Sequence, residues 1–292
     1  MIVAGGSASG LLSEDLAKTL GCKLANVEIK RFPDDECYVK VHDDLQGQDV
    51  VVVQTTYPDP NIIELFLLQD AVRNSGAASI TTVVPYFGYA RQDKSFTRGE
   101  AVSARLMARH ISLGCDRVFT MDIHNISVLE AFTVPVQNIS AMPAIGRFLA
   151  DNSVDIIVSP DEGSKARASL AAESAGCPWD FLQKKRIDSQ TVEIKPKNLD
   201  VSGQTVAIVD DIIATGGTVI KAAEQLKLQG AKKVFAACTH GLFTGNSIPR
   251  LEAACDAIFS TQTLERPTSS ISVAGTVAEA LKNCDILCCR SE

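Results

Sequence analysis

The same pattern occurs twice along this chain, and this internal repeat constrains the fold more than any other feature. Three glycines of the first half have counterparts about 155 residues later, a period far too long for a solenoid. The pairs are Gly21 with Gly176, Gly47 with Gly203, and Gly76 with Gly230. A fourth match, CDRVF at Cys115 with CDAIF at Cys255, keeps the order at a shorter spacing. The sequence therefore predicts two copies of one unit, residues 1–145 and 146–292, with the last residues able to pack back on the first copy.

Each copy alternates apolar strands with amphipathic helices. Leu12, Leu16 and Leu20 have the spacing of one helix face. Runs such as VVVV, with no polar alternation, indicate strands covered on both faces, as in parallel sheets. Strands are predicted at residues 1–5, 49–54, 79–85, 117–121, 154–159, 205–210, 232–238 and 256–260. This order predicts an α/β protein with two duplicated, doubly wound domains and mostly parallel sheets.

Composition limits the classes of protein to consider. At 292 residues and 46% hydrophobic content, the chain can bury two sizeable cores. A net charge of −7 argues against a nucleic-acid or membrane-surface partner. The nine cysteines lack zinc-type spacing and are interpreted as reduced thiols. With no cationic leader and no long apolar run, the expected location is the cytoplasm.

Residues 205–218, TVAIVDDIIATGGT, contain the most specific functional pattern. An apolar run ends in Asp210 and Asp211, whose carboxylates suit the paired hydroxyls of a ribose. Backbone N–H groups, two hydroxyls and a helix N-terminus follow, and such an arrangement holds a phosphate. These are supplied by Ala214, Thr215, Gly216, Gly217 and Thr218. An ordinary strand-to-helix turn would leave the two consecutive acids and the two glycines unexplained, so the segment predicts a sugar-phosphate site.

This stretch resembles the phosphoribosyl-diphosphate (PRPP) loop of type I phosphoribosyltransferases and of ribose-phosphate pyrophosphokinases. The equivalent place in the first copy reads QTTYPDPN, which predicts a different role for that copy. Residues 88–100, GYARQDKSFTRGE, carry three cations suited to a polyphosphate, although a solvated loop would have a similar composition. YARQDK resembles the ATP-site signature of the pyrophosphokinases, which phosphoribosyltransferases lack. The resemblance implies ATP-binding roles for Arg91, Gln92, Asp93, Lys94 and Arg98.

Three further segments resemble the same family, in the same order along the chain. RFPDDE at 31–36 is similar to its adenine-binding turn, which implies that Phe32 stacks on the base while Asp34 and Glu36 bond to it, in a site shared between subunits. In MDIHN, His124 aligns with a metal contact, although a lone histidine is more often an ordinary surface or core group. In VSPDEG, the resemblance implies that Asp161 binds Mg²⁺. Many members of the family have two consecutive glycines after this Asp, whereas this chain has Glu162, Gly163 and Ser164.

QKKRID occupies the place of the family's catalytic loop. The resemblance assigns Lys184 and Arg186 to neutralising charge on the β-phosphoryl group as AMP departs. Alternation places both residues on one side of an extended segment, with Lys185 on the other.

The chain is therefore identified as a member of the ribose-phosphate pyrophosphokinases, in a short form resembling archaeal members. The resemblance implies type I phosphoribosyltransferase-like domains, ATP in the first copy, ribose 5-phosphate in the second, Mg²⁺ as cofactor, and a homodimer or higher homo-oligomer. Two alternatives remain open at this point: a phosphoribosyltransferase for a nucleobase, and a catalytically silent regulatory subunit.

Overall fold

The computed structural model describes residues 1–186, 192–196 and 199–288, with side chains for 1–183 and 199–284. The chain divides into two compact units. Unit 1 consists of Met1–Ser140, Gln262–Glu265 and Ser272–Glu292, and unit 2 of Ala141–Thr261 and Arg266–Ile271. No helix in the described part of the chain is both long and apolar enough to cross a membrane.

Unit 1 is a doubly wound α/β domain. Its strands are β1 (Ile2–Gly5), β2 (Lys23–Leu24), β3 (Val27–Arg31), β4 (Cys37–Val41), β5 (Asp49–Val53), β6 (Ser79–Val84), β7 (Arg117–Met121) and β8 (Val136–Ile139). Its first helices are α1 (Gly10–Leu20), α2 (Pro60–Asn74) and α3 (Ser103–Leu113), and a 3₁₀ turn spans Ile126–Ala131. Six strands form a parallel sheet in the order β2-β1-β5-β6-β7-β8, while β3 and β4 form a separate antiparallel hairpin.

Unit 2 repeats this plan. It contains α4 (Met142–Asp151), β9 (Ile156–Ser159), α5 (Lys165–Ala175), β10 (Trp179–Arg186), β11 (Val192–Pro196), β12 (Thr205–Ile213), α6 (Gly217–Leu228), β13 (Lys233–Gly241), α7 (Ser247–Ala254), β14 (Ala257–Thr261) and β15 (Ser269–Ile271). The sheet order is β11-β10-β9-β12-β13-β14-β15, and only the β10–β11 pair is antiparallel. The remaining helix, α8 (Ala274–Cys288), belongs to unit 1 and packs against α1.

The two sheets correspond strand by strand, from β2 and β10 at one side to β8 and β15 at the other. The predicted α/β class, with two duplicated and mostly parallel doubly wound domains, is confirmed. The sequence-based boundary at residue 145 falls inside α4, whose main packing partner is α5 of the same unit.

The repeated residues of the sequence make equivalent hydrogen bonds in the two units. The N–H of Gly47 donates to the carbonyl of Gly76 at 2.9 Å, and the N–H of Gly203 donates to that of Gly230 at 2.8 Å. All four glycines have φ between +71° and +91°, a region that residues with a Cβ atom rarely adopt. The repeat is therefore visible in the sequence because these turns require glycine.

Both antiparallel hairpins were missed by the sequence analysis. Strands β3 and β4 are only partly buried, so they lack the long apolar runs that identified the central strands. Strand β12 also runs to Ile213, beyond the predicted end at 210, which places Asp210 and Asp211 inside the strand near its carboxyl end. Alternate strand residues on one face of each sheet, such as Val50 and Val52 in unit 1 and Val206 and Ile208 in unit 2, form an apolar core with helices of the same unit.

Candidate active site

The two acids of unit 2 have different neighbours. Asp211 is buried, and its Oδ2 lies 3.0 Å from Nη2 of Arg167. Asp210 accepts a hydrogen bond from Ser164 Oγ at 2.9 Å and another from the backbone N–H of Asp211 at 2.9 Å. Ser164 precedes helix α5 and Arg167 lies in its first turn. The diacid is therefore held by the start of α5, which the sequence analysis did not identify.

Their electrostatics differ as well. Burial, and after it the charge of Asp211, raises the pKa of Asp210 to about 7, although the hydrogen bond from Ser164 opposes this rise. Neighbouring carboxylates in a poorly hydrated place do not both ionise readily, and an adjacent cation favours the charge on one of them. Arg167 provides that cation for Asp211. Near neutral pH the pair can hold one proton, so it can both donate and accept hydrogen bonds toward sugar hydroxyls.

A cradle of backbone donors follows the diacid. Gly216 has φ of +72° and precedes helix α6, which is 12 residues long. In the described structure, the N–H groups of residues 215–218 donate to no protein acceptor, and Thr215 and Thr218 are exposed. Helix N-termini with unpaired N–H groups attract anions. The structure thus brings together the acids and the phosphate cradle that the sequence predicted.

Residues 160–164 form the neighbouring loop between β9 and α5. Asp161 is exposed, and its Oδ1 accepts the N–H of Ser164 at 3.1 Å. Its backbone carbonyl accepts a hydrogen bond from Ser159 Oγ. Ser164 therefore links this loop to the diacid through its own hydroxyl.

Lys184 and Arg186 lie at the end of β10, opposite Ile194 and Val192 of β11. Their side chains lie outside the part of the chain that the structure describes.

In unit 1, the loop of residues 88–100 and the segment after β7 come together. Asn125 Nδ2 donates a hydrogen bond to Asp93 Oδ2. Gln92 accepts a hydrogen bond from the hydroxyl of Ser103 at 2.8 Å, which ties the loop to the start of α3. His124 is exposed beside this junction.

The loop also presents cations to the solvent. Arg91, Lys94 and Arg98 are exposed and form no ion pair with any described residue. Lys94 Nζ lies 5.2 Å from the ring centre of Phe96. These three side chains are therefore available to a polyphosphate.

The RFPDDE segment forms the tip of the β3–β4 hairpin. Phe32 is 44% exposed and meets Tyr38 edge-on at 5.5 Å between ring centres. Asp34 and Glu36 are exposed, and Asp34 Oδ1 accepts the N–H of Glu36 at 3.2 Å. Within the described residues, no hydrogen bond or ion pair joins this tip to the loop of residues 88–100.

A second loop, GGSASG between β1 and α1, has the composition of a phosphate cradle, but its donors are already paired. The carboxylate of Glu64, which is 2% exposed, accepts hydrogen bonds from the N–H of Ser7 at 2.6 Å and from its Oγ at 2.7 Å. Gln54 Nε2 donates to the same carboxylate at 2.6 Å, and Gln54 Oε1 accepts the N–H of Ala8 at 3.2 Å.

The helix that follows this loop is also paired with an acid. The N–H of Leu11, in the first turn of α1, donates to Glu265 Oε1 at 2.7 Å. The loop of unit 1 therefore holds two of the chain's own carboxylates, Glu64 and Glu265, where an anion would bind. This pairing is consistent with the prediction that the first copy has a role other than sugar-phosphate binding.

No group of three or more His, Cys, Asp or Glu side chains suited to a metal ion occurs among the described residues. Mg²⁺ in phosphate-transfer sites is commonly held by one or two carboxylates together with substrate phosphates. The exposed carboxylate of Asp161 fits that pattern, and the imidazole of His124 is a less typical Mg²⁺ ligand.

Comparison with known families agrees with the duplicated architecture. Residues 1–113 match the N-terminal domain of ribose phosphate pyrophosphokinase. Residues 139–264 match the phosphoribosyl transferase domain. The predicted type I phosphoribosyltransferase-like fold is thereby confirmed.

Relatives cover almost the whole chain. A ribose-phosphate pyrophosphokinase of Methanopyrus kandleri is 42% identical over 97% of this chain and 99% of its own. One of Methanosarcina mazei is 44% identical over 96% of this chain and 94% of its own. Phosphoribosylpyrophosphate synthetase from Mycobacterium smegmatis superposes with a TM-score of 0.79 at 28% identity, covering 96% of this chain and 97% of that one.

Proposed function

The chain belongs to the ribose-phosphate pyrophosphokinase family, and we propose on this basis that it transfers the β,γ-diphosphoryl group of Mg-ATP to the C1 hydroxyl of ribose 5-phosphate. The products are PRPP and AMP. The observation that carries the proposal is the diacid beside the unpaired N–H groups of residues 215–218. The carboxylates suit the ribose hydroxyls, and the N–H groups suit the 5-phosphate.

Each unit has its own task in this proposal. In unit 2, Asp210 and Asp211 bind the sugar hydroxyls and residues 214–218 bind the phosphate. In unit 1, Arg91, Lys94 and Arg98 bind the ATP phosphates, supported by their exposure and lack of ion pairs among the described residues. Gln92 and Asp93 shape this loop through their bonds to Ser103 and Asn125.

The chemistry requires positioning and charge neutralisation more than covalent participation of the protein. Lys184 and Arg186 neutralise charge on the β-phosphoryl group as the C1 oxygen attacks and AMP departs. Asp161 and His124 would hold Mg²⁺ on the phosphates. When bound, that ion supplies additional positive charge to the transferring group.

Phe32, Asp34 and Glu36 bind the adenine in this scheme. The exposed ring at the hairpin tip supports binding of a nucleotide held by a neighbouring subunit. A homodimer or higher homo-oligomer with a shared ATP site follows. Mixing a Phe32→Ala variant with a Lys184→Ala variant tests this, because only a shared site allows mixed subunits to regain activity.

The direct test is to incubate the protein with Mg²⁺, ATP and ribose 5-phosphate and to measure AMP and PRPP. A nucleobase phosphoribosyltransferase would instead consume PRPP in the presence of a base and release diphosphate. A silent regulatory subunit would bind PRPP and form neither product. Absence of AMP and PRPP with all three reactants present would refute the proposed function.

A further inference from the structure

Arg167 contacts Asp211 and Ser164, although it belongs to none of the predicted motifs. Its Nη2 lies 3.0 Å from Asp211 Oδ2, and its Nη1 lies 3.4 Å from Ser164 Oγ. Ser164 in turn donates its hydroxyl to Asp210 at 2.9 Å. One guanidinium therefore reaches Asp211 directly and Asp210 through one hydroxyl group.

The ion pair between Arg167 and Asp211 is largely buried, which strengthens the interaction between the two charges. The side chain of Asp211 is 5% exposed and that of Arg167 is 24% exposed. Charges at this depth are only weakly screened by water, so removing the guanidinium takes away a strong attraction on the Asp211 carboxylate. The guanidinium is planar and permanently charged, and it presents several donors in fixed directions. The guanidinium can therefore bind Asp211 and the Ser164 hydroxyl at the same time. A lysine ammonium has the same charge but lacks this fixed arrangement of donors.

We propose that Arg167 is a positioning residue for ribose 5-phosphate, which fixes the orientation and charge of Asp211 and, through Ser164, the orientation of Asp210. This inference rests on the proposed function, because it concerns the sugar-binding acids of that reaction. Arg167 acts through the acids and does not contact the reacting phosphorus. Its loss therefore weakens sugar recognition and leaves ATP recognition unchanged.

The first experiment compares Arg167→Gln with Arg167→Lys in steady-state assays and by calorimetry with ribose 5-phosphate. Loss of the charged hydrogen bonds should raise both the KM and the Kd for ribose 5-phosphate roughly ten- to hundredfold in Arg167→Gln. The KM for ATP should stay unchanged. Arg167→Lys keeps the charge and should recover part of the affinity. Arg147→Gln makes the same charge change at an exposed position of α4 in the same unit and should behave as the wild type.

The second experiment is a double-mutant cycle with Asp211→Asn. If Arg167 acts through Asp211, Arg167→Gln should add little to the loss already caused by Asp211→Asn. Fold-changes that multiply in the double variant would show that the two residues act independently and would overturn the inference. So would an Arg167→Gln variant that raises the KM for ATP alone. Thermal unfolding of each variant separates these outcomes from failure to fold.

Failure of the inference is distinguishable from failure of the proposed function. A wild type that makes PRPP, together with an Arg167→Gln variant of unchanged ribose 5-phosphate affinity, would refute only the role of Arg167. A wild type that neither forms PRPP nor binds ribose 5-phosphate would refute the proposed function itself.

Discussion

Replacing Glu64 by alanine should open the β1–α1 loop of unit 1. The Glu64 carboxylate satisfies three donors, namely the N–H and hydroxyl of Ser7 and the amide of Gln54, all at 2.6 to 2.7 Å. Gln54 is fully buried, so its amide has no access to solvent in the folded state. Glu64→Ala therefore leaves the buried Gln54 amide unpaired beside a new cavity and removes the internal acceptor of the Ser7 donors.

The size of the effect follows from the number of donors. An orphaned buried donor costs about 1–3 kcal/mol. Ser7 is exposed, so water can bind its donors, and the Gln54 amide is the donor that stays buried; the expected loss is about 1–3 kcal/mol. This is a large fraction of the roughly 5–15 kcal/mol that stabilises a typical domain.

Hydrogen exchange measured on peptides covering residues 5–11 gives the local effect, which a global melting curve of a two-unit chain would not. A loss of about 3 kcal/mol corresponds to exchange more than a hundredfold faster. Formate at constant ionic strength should restore part of the protection in Glu64→Ala, because a small carboxylate can enter the space left by the side chain. Asp70→Ala is the matched control, since it removes an exposed acid from the same helix.

Equal protection of residues 5–11 in the wild type and in Glu64→Ala would contradict the assignment of Glu64 as the internal anion of this loop. Formate protection that also appears in Asp70→Ala would show a general salt effect. Either result would require another explanation for the buried acid.

Three further predictions concern the proposed active site and its supports. The pKa of Asp210, raised from 3.8 to about 7, means that the folded state binds this proton more tightly than the unfolded chain, so the free energy of unfolding should fall as pH rises from 4 to 7. Asp210→Asn should remove this decline, as followed by the fluorescence of Trp179, the only tryptophan. Lys184→Ala should lower kcat roughly a hundredfold with little change in either KM, whereas Lys185→Ala should be nearly silent in the same assay. Asn125→Ala removes the bond to Asp93 and should raise the KM for ATP severalfold while leaving that for ribose 5-phosphate unchanged in steady-state kinetics.

The fold was predictable where one residue type alone meets a local requirement. Gly47 and Gly203 stand in equivalent turns with positive φ, and no other residue fits as well. Asp116 and Asp256 each accept the N–H of a strand residue across the sheet, at 2.7 and 2.8 Å, which explains why the CD pairs repeat. The sequence also located the diacid and its cradle, because both lie in one continuous segment.

The supports of the site were not predictable in the same way. Ser164 and Asp210 are 46 positions apart, and Ser7 and Glu64 are 57 apart. Such contacts form only when the sheet brings distant loops together, and Ser164, Ser7 and Glu64 carry no local signature of their own. Arg167 and Glu64 therefore resemble an ordinary helix cation and an ordinary helix acid until the fold is known.

The unpaired N–H groups of residues 215–218 also link the stability of unit 2 to its ligand supply. An anion that binds there only in the folded state stabilises that state by about 2.7 kcal/mol at a hundred times its Kd. The β1–α1 loop of unit 1 carries its own carboxylates and gains nothing comparable from an external anion. Under the proposed function, ribose 5-phosphate is this anion, and a higher concentration of it should slow the degradation of unit 2 by cellular proteases and raise the abundance of the chain.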